Sequence, residues 1–185
     1  MKRNPTIEAG KIRLRPLSQN DLKLKVNWIN DPEVSKYLHY ELPLRLNKTR
    51  KWFENIADDK SRYDFTIETK DKKAIGLIGF IGINYTHKTA EFYIAIGEKT
   101  FWNKGYATQA LSALVKWGFG ELKLEKIWAI TRKYNFASIA LMHKIGFQIE
   151  GILRKEKNVG NIREDVYRLG LLKKEFKSSI KTKIL

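Results

Sequence analysis

The residues best placed by type and spacing to do chemistry are Phe101-Trp102-Asn103-Lys104-Gly105-Tyr106-Ala107-Thr108. A strand pattern feeds this stretch, a glycine sits at its exit, and an amphipathic helix pattern begins at once. Unpaired helix N–H groups, the helix dipole, close backbone approach at Gly105 and the charge of Lys104 would together favour a phosphate. A glycine between loop and helix is also an ordinary turn, and the stretch alone leaves both readings open. A second stretch, residues 135–147, aligns Ser138, Leu141, Met142 and Ile145 on one helical face and closes on Gly146, suited to a left-handed cap. Asn135, at its start, reads either as a ligand contact or as the helix's own N-cap. His39, His87 and His143 have no ligand-like spacing and cysteine is absent, so no metal site is expected.

Elements must carry these residues to one place. Alternation at residues 11–15 predicts a first strand, and Ser18 with Asp21 predicts a helix cap ahead of 22–28, ended by Asp31-Pro32. Asn47 is a cap candidate for a second helix presenting Trp52, Phe53 and Ile56. Residues 63–68 and 74–84 read as a hairpin. Gly76, Gly79 and Gly82 fall inside its second strand, which favours close backbone packing over phosphate binding. There follow a strand at 89–96, a helix at 106–119, a short strand at 126–130, a helix at 135–145, a strand from Phe147 and a last strand at 165–172. The basic tail from about residue 174 has too few apolar residues to pack by itself and is expected to be flexible. Antiparallel strands followed by two strand–helix units predict a mixed α/β (α+β) fold in one domain over residues 1–185, with parallel pairing at the crossover.

With 185 residues and 43% apolar composition, one hydrophobic core is expected. The absence of cysteine excludes disulfide and thiolate chemistry. The N-terminus lacks the apolar core of a secretion signal and no uncharged run is long enough to span a bilayer, which predicts a cytoplasmic protein with no membrane partner. A net charge of +16 should attract polyanions such as coenzyme phosphates, nucleotide sugars or RNA. A basic nucleic-acid-binding module is the competing reading, but Lys and Arg are spread along the whole chain and no nucleic-acid motif accompanies them.

The segment Asn135 to Phe147 resembles the N-x-x-S/A-x-x-L-x-x-K-x-G-F helix of the GNAT acetyltransferases. Trp102-Asn103-Lys104-Gly105-Tyr106-Ala107 resembles their Q/R-x-x-G-x-G/A pyrophosphate loop, about thirty residues earlier. Trp102, Lys11 to Leu17, Glu150 to Arg154 and Asp165-Val166-Tyr167 are similar to the ribosomal-protein N-terminal (RimJ/RimL-type) branch. The resemblance covers roughly residues 10–175. It implies the acyl-CoA N-acyltransferase fold, a mostly antiparallel sheet flanked by helices, and transfer of an acetyl group from acetyl-CoA to a primary amine by a monomer or homodimer. A coenzyme binder without activity is the remaining alternative.

On this resemblance, the backbone from Asn103 through Lys104, Gly105, Tyr106, Ala107 and Thr108 would hold the coenzyme pyrophosphate. The strand carrying Phe92, Ile94 and Ile96 would pair with the pantetheine arm, and Asn135 and Ser138 would contact the coenzyme. An alkylammonium must lose a proton before it attacks a thioester. Glu91, similar in place to an acidic residue of many family members, is the candidate base. Met142 stands where many members carry a proton-donating tyrosine, and methionine cannot donate. Ser138, one turn earlier, is the candidate substitute, with Tyr134 a weaker one. Trp28, Tyr37 and His39, in the region covering the acceptor, are candidate substrate contacts. The cationic charge favours a protein N-terminus or a nucleotide-linked amino sugar as acceptor over an aminoglycoside or polyamine.

Overall fold

The protein's structure, a computed structural model, describes residues 5–38, 40–178 and 180–185. In chain order the elements are β1 (Ile7–Ala9), β2 (Ile12–Pro16), α1 (Leu22–Asn30), α2 (Pro32–Ser35), α3 (Leu46–Asn55), β3 (Tyr63–Thr69), β4 (Ala74–Asn84), β5 (Thr89–Ile96), α4 (Tyr106–Gly120), β6 (Lys126–Arg132), α5 (Phe136–Ile145), β7 (Gln148–Val159), β8 (Ile162–Leu172) and β9 (Thr182–Ile184). The described strands form one sheet in the order β7-β8-β6-β5-β4-β3-β2-β1-β9. Every neighbouring pair is antiparallel except β5 and β6, as the strand–helix crossover through α4 requires.

The sheet separates two apolar layers because its side chains alternate. On one face α4 and α5 cover the main core, where Trp117 meets Tyr63 and Phe65 edge-on and stacks over Phe80. On the other face α1 and α3 cover a smaller cluster built on Leu17, Leu22, Trp28 and Leu77, with Trp52, Phe53 and Tyr93 against it. Adjacent β4 residues divide between them: Leu77 faces the smaller cluster and Ile78 the main core. Two of the three glycines expected to pack closely do so. A Cβ at Gly76 would lie 2.3 Å from the Ala95 carbonyl oxygen, and one at Gly79 would lie 2.2 Å from that of Tyr63 and 2.8 Å from the Tyr93 ring. Gly82 differs: its φ of +58° lies in a register shift of β4, and open space surrounds it.

The Ser18–Asp21 pair caps a single tighter turn, Gln19–Asp21, that leads directly into α1. The Ser18 N–H donates to Asp21 Oδ2 at 2.8 Å, and the Arg15 guanidinium grips both oxygens of the same carboxylate at 2.6 Å, tying β2 to the helix. Asn47 does not cap α3; the helix starts after Arg45, and Asn47 Oδ1 instead accepts from the Lys48 N–H. β1 and β9 pair at the sheet edge and escape a period-2 reading because each has only three residues. The tail corrects the expectation of flexibility. Phe176 and Ile180 pack against the main core, Lys116 Nζ donates to the Ile180 carbonyl at 2.8 Å, and β9 completes the sheet. Its few apolar residues suffice because a finished core receives them.

Candidate active site

β5 and β6 pair only from Thr89 to Glu91 against Lys126 to Trp128, although β5 runs on to Ile96 and β6 to Arg132. Beyond Glu91 the strands part, while β5 stays paired with β4 on its other side. The result is a cleft of about 670 Å³ at the middle of the sheet, with Glu91 at its vertex. The freed β5 edge offers backbone N–H and C=O groups that a peptide-like chain would satisfy.

The sequence-derived candidates fall into three groups. Glu91, Phe92, Ile94, Asn135 and Ser138 line the cleft together. Phe92 and Ile94 turn toward the α4–α5 layer, with the Phe92 ring 5.2 Å from that of Phe147, so Glu91 and Tyr93 turn toward α1–α3. Ile96 lies at the end of the freed edge, outside the cleft lining, and its carbonyl oxygen accepts from Trp102 Nε1 at 2.8 Å. Asn135 lines the cleft and caps α5 at once, its Oδ1 accepting from the Ser138 N–H at 3.2 Å. The two readings of that residue are therefore compatible.

The second group is the loop Asn103–Thr108, which follows β5 and leads into α4 rather than lining the cleft. Gly105 takes the N-cap position at φ +77°, a left-handed conformation favoured by glycine, and no atom lies within 4 Å of where its Cβ would be. The first-turn N–H groups of Tyr106, Ala107 and Thr108 lack intrahelical acceptors by helix geometry. Lys11 Nζ donates to the Lys104 carbonyl and sits 4.1 Å from the Tyr106 ring centroid, so the β1–β2 hairpin braces the loop. The Tyr106 ring is turned inward against Phe101 at 5.0 Å, leaving its backbone as the part a ligand would meet.

The third group is the acceptor candidates, of which the structure moves one away from the cleft. Trp28 does not line the cleft: it is 5% exposed, donates from Nε1 to Glu98 Oε1 at 2.9 Å, and fills the space left by Gly97, where a Cβ would stand 2.1 Å from the indole. Its bulk and helical position make it a core residue. Tyr37 does line the cleft, beneath the Arg132 guanidinium at 5.4 Å, while His39 lies outside the described residues. Met142 is buried in the main core, and Tyr134 is exposed and outside the cleft lining, which leaves Ser138 as the α5 hydroxyl facing the cleft.

Sequence reasoning missed Lys25, Arg62 and Lys157, all lining the cleft. Lys25 was detectable as a cation in the apolar stripe of α1, three residues after Leu22 and four before Ile29. It is 5% exposed, with Nζ 3.5 Å from the Trp52 ring centroid. Burial pushes its ammonium down to about 8, against the pull of Asp64. Arg62 is held by Asp64 at 2.7 and 2.8 Å, and the same carboxylate accepts from the Tyr93 hydroxyl at 2.6 Å. Burial raises the Glu91 carboxyl above the usual glutamate range, opposed by Lys157 and Arg168. A partly desolvated carboxylate suits proton abstraction from an amine. Among the described residues no His, Asp and Glu group could hold a metal ion, and no helix is long and apolar enough to cross a membrane.

Comparison with known proteins adds to this geometry. The family model described as "Acetyltransferase (GNAT) domain" matches residues 11–148. An uncharacterized N-acetyltransferase, p20, of Bacillus licheniformis is 30% identical over 176 residues, covering 92% of this chain and 98% of its own. The spermidine N(1)-acetyltransferase of Escherichia coli K12 is 29% identical over 174 residues, covering 94% and 92%. Among solved structures, the spermidine N-acetyltransferase of Vibrio cholerae in complex with CoA and spermine superposes with a TM-score of 0.84 at 28% identity, over 89% of this chain and 97% of that one.

Proposed function

This chain belongs to the GNAT acetyltransferases and is an N-acetyltransferase that uses acetyl-CoA, and from that premise we propose that it acetylates a small primary amine with Glu91 as general base. The observation that carries the proposal is the parting of β5 and β6 with a half-buried carboxylate at the vertex.

The residues fit the donor. The left-handed Gly105, open to its surroundings at a helix start, suits close approach of a pyrophosphate to the backbone of residues 103–108. The free edge of β5 from Phe92 to Ala95 suits the amide-bearing arm that brings the thioester toward Glu91. There Glu91 takes a proton from the acceptor ammonium, and the amine nitrogen forms a bond to the thioester carbonyl carbon. As the carbon–sulfur bond breaks, the departing thiolate takes a proton from the Ser138 hydroxyl or from water, and the second proton that the nitrogen loses on becoming an amide restores that donor. Positioning supplies most of the rate, since holding amine and thioester in contact replaces an improbable encounter.

The relatives named for spermidine bring a polyamine forward as acceptor, and they neither single out the ribosomal-protein branch suggested by Trp102 nor support a protein N-terminus. Incubation with acetyl-CoA and a panel of amino sugars, their phosphates, polyamines, aminoglycosides and peptides, read by mass spectrometry, should yield one class of acetylated small amine. Acetylation confined to peptide N-termini, or of nothing at all, would overturn the proposal.

A further inference from the structure

We propose that the acceptor is an amine whose molecule also carries a phosphate or carboxylate, received by a cationic wall of Lys25, Lys48 and Lys157 in the cleft that holds Glu91. This rests on the acetyltransferase reading above. Among the described residues, the charged side chains lining the cleft are Lys25, Lys48, Arg62 and Lys157 against Glu91. Asp64 neutralises Arg62 in a two-point pair. The three lysines have no carboxylate within 4.0 Å among the described residues.

Lys25 is the telling member. A buried ammonium is costly, and an aromatic face together with the pull of Asp64, which Arg62 already engages, compensates for it only in part. At a position flanked by Leu22 and Ile29 an apolar residue would serve packing better. A cation kept there, over Trp52 and with Nζ also 5.8 Å from the Tyr40 ring centroid, is suited to an anion that arrives with the substrate. Lys48 reaches the same cleft from α3 and Lys157 from β7, so the positive charge comes from three separate elements.

A polyamine meets the opposite surroundings. It brings two or more further ammonium groups into a cleft whose described lining carries one carboxylate, while the nearby Asp64 is already engaged by Arg62 and Tyr93. Like charges at close range in a partly desolvated site repel. An amino sugar phosphate or an amino acid-like amine brings the complementary sign. Its amine would lie at Glu91 and its anion on the lysines.

Glucosamine, glucosamine 1-phosphate and muramic acid share one amine and carry no anion, a phosphate or a carboxylate, so they separate the sources of negative charge. With acetyl-CoA saturating, at least one anionic sugar should exceed glucosamine and spermidine in kcat/KM by about tenfold or more, the scale on which complementary charge concentrates a ligand. Lys25→Met, close in volume, and Lys48→Gln, on the exposed side of the wall, should each narrow that gap. Spermidine as the best acceptor, or an anion preference untouched by both variants, would overturn the inference and leave the acetyltransferase reading standing. A measurement without turnover keeps the two apart. Glucose 1-phosphate titrated into protein saturated with coenzyme A should bind about tenfold more tightly to the parent than to Lys25→Met; equal binding refutes the cationic wall whatever the acetylation assay yields.

Discussion

Glu91 ties the chemistry to a measurable proton. As the proposed general base Glu91 would act in its ionised form, and burial raises its carboxyl, so activity should climb with pH through a limb lying above the usual glutamate range. Glu91→Gln should lower kcat by about a hundredfold or more at neutral pH and lose less at high pH, where the acceptor supplies its own free amine. The sign for stability is opposite. A carboxyl raised in the fold favours the folded state below its unfolded value, and that contribution is lost as pH rises through the folded value. At neutral pH the variant should therefore melt no lower than the parent and gain nothing near pH 4. Thermal scans at both pH values, run beside the rate profile, separate a catalytic carboxylate from one that only supports packing. Lys25 shows the same tension, since its depressed ammonium destabilises the fold at neutral pH. A site residue that costs stability is a sign that function retains it.

At the scale of elements, the decisive feature is the junction of β5, the loop and α4. Gly105 sits at φ +77° in open space, so Gly105→Ala meets no clash and tests backbone strain alone. A left-handed alanine costs about 1–2 kcal/mol. The melting temperature should fall by a few degrees, and the KM for acetyl-CoA should rise because the helix start is rebuilt. An unchanged KM with that same melting shift would remove the loop from coenzyme binding. The pattern of α4 and α5 was legible because their apolar stripes and glycine boundaries are strong local signals. The Asn47 cap was misread because a side chain next to a helix start bonds the nearest free N–H, and only the path of the preceding chain decides which residue is the cap.

For the molecule as a whole, the chain ends close one edge of the sheet, outside the cleft between β5 and β6: β9 pairs with β1 at the opposite side of the sheet from β7. Truncation after residue 180 should remove that short ladder, worth about 1–3 kcal/mol if a few net hydrogen bonds are lost. The melting temperature should drop by roughly 2–10 °C at this chain length, with kcat at saturating coenzyme unchanged. A loss of activity without loss of stability would mean that the edge communicates with the cleft. Family resemblance chose pyrophosphate binding for the loop and pointed to Glu91, while local pattern was enough for the mixed α/β class and the strand–loop–helix around Gly105. Those features are written in local period, glycine placement and charge, which act between residues near in the chain. Tertiary structure alone decided that β5 and β6 part after Glu91, that Trp28 is core while Lys25 faces the cleft, and that a basic tail is held by the sheet. Each depends on which surfaces meet across the sheet. Burial, desolvation and strand pairing are properties of those meetings, and no window of sequence contains them.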